Sequence, residues 1–192
     1  MSERTGWQRI ARRIRVPMGF CFAAVFLWLA RPSGVTLAAS LALVVPGLWL
    51  RGYAAGYVRK NAELTTTGPY GYTRNPLYLG SMMIAFGFAV AGGQVWIGIA
   101  LAGLFLAIYL PTILSEEAYL RGVFPGFDAY AARVPRLLPR LTTAASPGAT
   151  EGLDGDRGAF SKQLYLHHRE YNSVMGAGAI YLALVVRLLL RR

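Results

Sequence analysis

The sequence predicts an all-α protein, a polytopic membrane helix bundle of about five transmembrane helices. Three observations point there. Hydrophobic residues fill 55% of the 192 positions and charged residues only 15%, a balance foreign to soluble domains. The apolar residues gather in runs close to the ~20 that a helix needs to cross the hydrocarbon core. The basic residues, which set a net charge of +11, fall mostly between those runs. That placement reads as topology and contact with lipid headgroups rather than with nucleic acid.

The first expected span, Val16 to Ala30, is short, with Arg15 and Arg31 able to snorkel at its ends. The second, Val35 to Val58, is interrupted by Pro46 and Arg51. The third runs from Pro76 to Ala91, because Asn75 suits an N-cap and Pro76 the first helical position. The fourth is Val95 to Leu114, and the fifth, Val174 to Leu190, contains Arg187. "RPSG" and "GGQ" are tight turns, so spans one and two form a hairpin, as do three and four. The other connections are long and basic and share one side, which the positive-inside rule makes cytoplasmic, together with the N-terminus. Arg187, Arg191 and Arg192 then fit poorly, and the last helix is expected to tilt, pack on a partner or lie along the interface.

The N-terminus reads as an uncleaved span rather than a secretory signal. One cysteine, Cys21, and two histidines leave no internal disulfide and no structural zinc site. His167 and His168 are adjacent, poor geometry for chelating one metal, and read as part of an interfacial segment, with a substrate-side role as the alternative. Trp28, Trp49 and Trp96 are expected to face lipid or its interface. Gly87, Gly98 and Gly103 are expected to allow close helix packing. The whole of 1–192 reads as a single membrane domain, with a core at 62–141, a flexible Gly-rich linker at 142–160 and an interfacial segment plus last helix at 161–192.

Two polar segments interrupt this pattern. "GPYGYTRNPLYLG", Gly68 to Gly80, places turn residues, Arg74 and Asn75 before the third span. "SEEAYLRGVFPGFDAYAARVPRLLPR", Ser115 to Arg140, follows the fourth. Neighbouring helical residues point about 100° apart, so one of Glu116 and Glu117 faces the protein. Glu117 has an exposed role open to it, pairing with Arg121 four residues on, which leaves Glu116 as the inward carboxylate. Because spans three and four form a hairpin, their near ends converge and bring Arg74 and Asn75 close to Glu116. The outcome is a polar pocket at the cytoplasmic end of the bundle.

"LTTTGPYGYTRNPLYLG" followed by "EEAYLRGVFPGFDAYAARVPRLLP" resembles the isoprenylcysteine carboxyl methyltransferase and phospholipid methyltransferase superfamily of integral-membrane enzymes, over about Glu63 to Pro139. The resemblance implies S-adenosyl-L-methionine as cofactor without a Rossmann fold, and a lipophilic or lipidated acceptor delivered by the membrane: a prenylcysteine-like carboxylate, a lipid amine or similar. It implies that the pair Glu116 and Glu117 belongs to the cofactor site, Glu116 meeting the ammonium. Backbone groups around Glu63, Leu64 and Thr65, and at Asn75, Pro76, Leu77 and Tyr78, would hold the carboxylate, ribose or adenine edges. Tyr70 and Tyr78 offer aromatic faces. Arg74, Asn75 and Arg133 are the expected catalytic and substrate-orienting residues, and Val134 to Leu138 would fold back over the pocket. Two positions depart from the family pattern. Asn75 stands where the family has His and cannot act as a base, and Thr112 stands where enzymes for prenylcysteine carboxylates often have Arg. A sterol-reductase-like enzyme using NADPH and a non-catalytic membrane scaffold stay open as rivals, and oligomeric state stays open too.

Overall fold

The computed structural model describes residues 23–59, 63–144 and 159–190. Among the described residues every regular element is helical. Helix α1 covers residues 23–29, and α2 is Gly34–Ala55. Ser33 starts α2: its hydroxyl accepts from the Thr36 N–H, and the Thr36 hydroxyl oxygen accepts from the Ser33 N–H, a reciprocal capping box. A short 3-10 turn, Gly68–Gly71, precedes α3, Pro76–Ala91. Helix α4, Val95–Leu104, passes through one π turn, Phe105–Tyr109, into α5, Leu110–Val123. Short α6, Phe127–Arg133, and α7, Lys162–His167, lead to α8, Tyr171–Leu190.

Three of these helical stretches are long and apolar enough to cross a membrane: Gly34–Ala55, Val95–Val123 and Tyr171–Leu190. Helix α3 has 16 residues, about 24 Å at 1.5 Å per residue, less than the ~30 Å hydrocarbon thickness. The expected first span lies partly outside the described residues, as do Cys21, the basic residues before Arg15 and most of the Gly-rich linker at 142–160. Large apolar side chains cover the outside of the bundle, among them Trp28, Trp49 and Trp96, each more than half exposed. A surface of that kind suits lipid.

Helices α2 and α3 form the most extensive contact, and glycine makes it possible. A Cβ on Gly87 would lie 2.5 Å from Val44 Cγ2, and one on Gly47 would lie 2.9 Å from the Gly80 carbonyl. Gly87 therefore serves close packing as expected. Gly98 and Gly103 do not: the nearest atom to a Cβ on Gly98 is 3.9 Å away, and Gly103 has none within 4 Å.

Both tight turns meet at one end of the bundle. The Arg31 N–H donates to the Gly92 carbonyl at 2.7 Å, and the Thr36 hydroxyl to the Ala91 carbonyl at 3.3 Å. Helix α8 runs antiparallel to α2. Glu170, just before α8, pairs with Arg51 near the end of α2, Tyr181 bonds Ser40 midway, and Arg187 reaches the carbonyls of Trp28 and Ala30 at the turn end. This corrects the expected misfit of the last helix. Arg187 is not stranded, because it bonds carbonyls that the end of α1 leaves open, and α8 packs within the bundle.

Candidate functional site

At the end opposite the tight turns, a cavity of about 610 Å³ opens between the segment after α2, the start of α3, α5 and α6. Its floor is the beginning of α3. Pro76 occupies the first turn, and no side chain caps the helix. The N–H groups of Leu77 and Tyr78, both lining residues, belong to the first turn of that helix, the positive end of its dipole.

The expected residues converge. Glu63, Leu64 and Thr65 form one wall, Tyr70 and Arg74 another, and Asn75, Pro76, Leu77 and Tyr78 the floor. Glu116 and Glu117 come from α5. Glu63 is also paired with Arg59 at 3.4 Å. Arg133 is not brought to the cavity: it is exposed and its Nε donates to the Ala129 carbonyl at 3.1 Å.

The two glutamates exchange the roles expected of them. Glu117 is the inward one, 4% exposed. Arg136 donates to it from Nε at 3.1 Å to each oxygen and from Nη2 at 2.9 Å. Arg74 Nη2 lies 3.5 Å from Glu117 Oε1, and Asn75 Nδ2 donates to the same oxygen at 3.4 Å. Arg121, the expected partner of Glu117, instead pairs with Asp128 at 2.7 Å. Glu116 is exposed at the rim and accepts from the Tyr78 hydroxyl at 3.0 Å. So Glu117 organises the walls, and Glu116 presents a carboxylate at the cavity mouth.

Asn75 holds the N-cap position of α3 without capping it. Its amide is turned away, donating to the Arg136 carbonyl at 3.0 Å as well as to Glu117. Segment 134–140 folds back, but onto 72–75. The Arg74 N–H donates to the Pro135 carbonyl at 2.9 Å, the Thr73 hydroxyl contacts the carbonyls of Arg136 and Leu137 at 3.1 Å, and the Arg140 N–H donates to the Tyr72 carbonyl at 3.0 Å. The strap fixes a cavity wall from behind. Helix α6 adds a small core of Phe127, Tyr130 and Val134, with the Arg74 guanidinium 6.0 Å and that of Arg121 5.4 Å from the Phe127 ring centre. The Tyr130 hydroxyl donates to the Tyr70 carbonyl at 2.8 Å. Burial holds the Tyr70 and Tyr130 phenols well above their ordinary range, so neither supplies a base at neutral pH.

Sequence reading missed Arg136, Arg51 and Glu170. Arg136 carried one signal, a cation between two prolines in "VPRLLP". Arg51 and Glu170 both line the cavity and meet across 119 positions, with Nε donating to Oε2 at 3.1 Å and Nη2 to Oε1 at 2.9 Å. No local pattern encodes that pairing.

An all-helical bundle with an apolar exterior and a polar cavity at one helix end defines a membrane protein with an internal site for a polar ligand. Residues 47–126 match the phospholipid methyltransferase family, which bears out the resemblance to the isoprenylcysteine carboxyl methyltransferase and phospholipid methyltransferase superfamily. The chain is also 38% identical over 109 residues to the nickel-cobalt-cadmium resistance protein NccN of Alcaligenes xylosoxydans xylosoxydans. It is 37% identical over 109 residues to the cobalt-zinc-cadmium resistance protein CzcN of Cupriavidus metallidurans. Each alignment covers 57% of this chain and about half of the relative, 48% and 47% respectively. No solved structure matches. Among the described residues, no group of three or more His, Cys, Asp or Glu side chains could hold a metal ion.

Proposed function

We propose that this chain transfers a methyl group from S-adenosyl-L-methionine to a lipophilic or membrane-delivered acceptor, with the cavity on the cytoplasmic side. The observation that carries the reading is the pairing, in one cavity, of the Glu116 carboxylate with the uncapped start of α3. An amino-acid zwitterion needs both: a carboxylate for its ammonium and N–H donors at a helix start for its own carboxylate. The cavity, about 610 Å³, falls within the ~300–1,000 Å³ usual for small-molecule and cofactor sites. Tyr78 and Tyr109, ring centres 5.8 Å apart, supply aromatic surface beside Glu116. When bound, the cofactor supplies an electrophilic methyl group. The protein's part is to place the acceptor in line with it and exclude water. Asn75 in place of a histidine is compatible with that division of labour, because the amide serves the wall and no base is required of it.

Purified protein is expected to bind S-adenosylhomocysteine in preference to NADPH, measured by calorimetry or thermal shift. Glu116→Gln removes a charge-assisted bond, and affinity is expected to fall about tenfold or more. Absence of binding at millimolar ligand, or tighter binding of NADPH, overturns the reading. The engaged Asn75 amide supports a second reading, a scaffold that binds cofactor without turnover. Incubating labelled cofactor with native membrane extract separates the two, since only an enzyme yields a labelled product.

A further inference from the structure

The cavity has a second polar end that the cofactor reading does not use. Tyr78 faces α5 and meets Glu116, whereas Leu77 and Ser81 face α2, where Arg51 Nη1 donates to the Ser81 hydroxyl and the Leu77 carbonyl. Arg51, Ser81 and Glu170 all line the cavity. The start of α3 therefore lies between two polar clusters, one from α5 and one from α2 and the chain leading into α8. Glu170 lies outside residues 47–126, the segment that matches the family.

The hydrogen-bond inventory of this second cluster is unequal. A guanidinium carries five N–H donors and a carboxylate about four acceptor sites. Arg51 uses Nε and one Nη2 hydrogen on Glu170, and Nη1 on Ser81 and Leu77. Glu170 Oε2 accepts from Arg51 and from the Ser173 hydroxyl, whereas Oε1 accepts only from Arg51 among the described residues. One Nη2 hydrogen and one lone pair of Oε1 remain, on atoms 2.9 Å apart. A donor and an acceptor side by side, with their charges mutually compensated, match a neutral hydroxyl. They do not match a second carboxylate or an ammonium, either of which would bring an uncompensated charge into a half-buried pair.

Resting on the methyl-transfer reading, we infer that the Arg51–Glu170 pair is the acceptor subsite and that it takes a lipophilic hydroxyl compound, a phenol before an alkanol. Arg51 Nη2 donates to the hydroxyl oxygen, and Glu170 Oε1 accepts its hydrogen. During transfer the acceptor oxygen forms a bond to the methyl carbon, the carbon–sulfur bond breaks, and its electron pair stays on the sulfur. The oxygen becomes acidic as it is alkylated, and its proton passes to Glu170 Oε1 and then to water. A phenol, with an unperturbed value near 10, starts closer to a carboxylate base than an alkanol does.

The test uses 4-dodecylphenol, 4-dodecylaniline and 4-dodecylbenzoate, which share one apolar body and differ in the polar head. Thermal shift of the full chain in detergent is expected to give about tenfold tighter binding of the phenol than of the other two. With labelled S-adenosylmethionine, the phenol is expected to give an alkali-stable methyl ether. Glu170→Gln is expected to lower phenol binding and transfer by about tenfold while S-adenosylhomocysteine affinity holds. Preference for aniline or benzoate, binding of none of the three, or phenol binding unaffected by Glu170→Gln overturns the inference. The head-group preference is measured on the unsubstituted protein, so a misfolded variant does not remove the test. If S-adenosylhomocysteine fails to bind while the phenol binds, the methyl-transfer reading falls and the hydroxyl subsite stands.

Discussion

Glu117→Ala is expected to destabilise the protein by about 3–5 kcal/mol, the cost of breaking a buried ion pair and leaving its partner charge behind. Glu117 gathers donors from Arg136, Arg74 and Asn75. The partners differ in what they can do once it is gone. The Arg136 side chain is 40% exposed and can turn to water, but that of Arg74 is only 12% exposed. Arg74 Nε is already without a partner among the described residues. The variant leaves Arg74 buried, unpaired and beside Phe127, and it frees the strap at 134–140 from α5. Arg136→Met is expected to cost less, because Glu117 keeps Arg74 and Asn75. The readouts are the heating midpoint of purified protein in detergent and the rate of proteolysis within residues 134–144. A Glu117→Ala protein as stable as the parent, with its strap equally protected, removes the organising role assigned to this residue.

The same network explains which parts of the site were legible in the sequence. The start of α3 was readable because Asn75-Pro76 is a local signal, and the helix begins at Pro76. The convergence of Arg74, Asn75 and the glutamates followed from a tight turn alone, since a helical hairpin must return its near ends together. Which glutamate points inward was not readable. Phase along a helix can be carried forward only while the pitch is constant, and a π turn at Phe105–Tyr109 separates α4 from α5. A π turn holds one extra residue, which rotates everything after it by about 100°, the angle that distinguishes Glu116 from Glu117. Expecting the last helix to lie apart hid Glu170 for a different reason. Its partner Arg51 is 119 positions away, and nothing in "HHREYN" marks which neighbour it will meet. The side chain of Asn75 was misjudged because a capping residue has a default partner in its own helix, and here a buried carboxylate competes for the amide.

Gly80→Ala and Gly103→Ala are expected to change stability in opposite directions. Alanine is favoured over glycine in a helix interior by about 1 kcal/mol, so both substitutions begin with the same local gain. At Gly103 nothing lies within 4 Å of the new carbon, and that gain is the whole effect. At Gly80 the new Cβ would lie 2.8 Å from the Gly47 carbonyl oxygen, 2.7 Å from Arg51 Cγ and 3.2 Å from the Arg51 backbone nitrogen. Two of these atoms are backbone and cannot swing away, so α2 and α3 must separate, at the ~1–3 kcal/mol typical of overpacking. The separation also reaches the site, because Arg51 holds Glu170 and Ser81 from the same stretch of α2. Gly80→Ala is therefore expected to lower the heating midpoint and to weaken Glu170-dependent ligand binding together, whereas Gly103→Ala raises the midpoint and leaves binding alone. Equal midpoints for the two variants would mean that the α2–α3 approach is not limited by these glycines. A lowered midpoint at Gly80 with ligand binding intact would mean that the position of Arg51 does not depend on that approach.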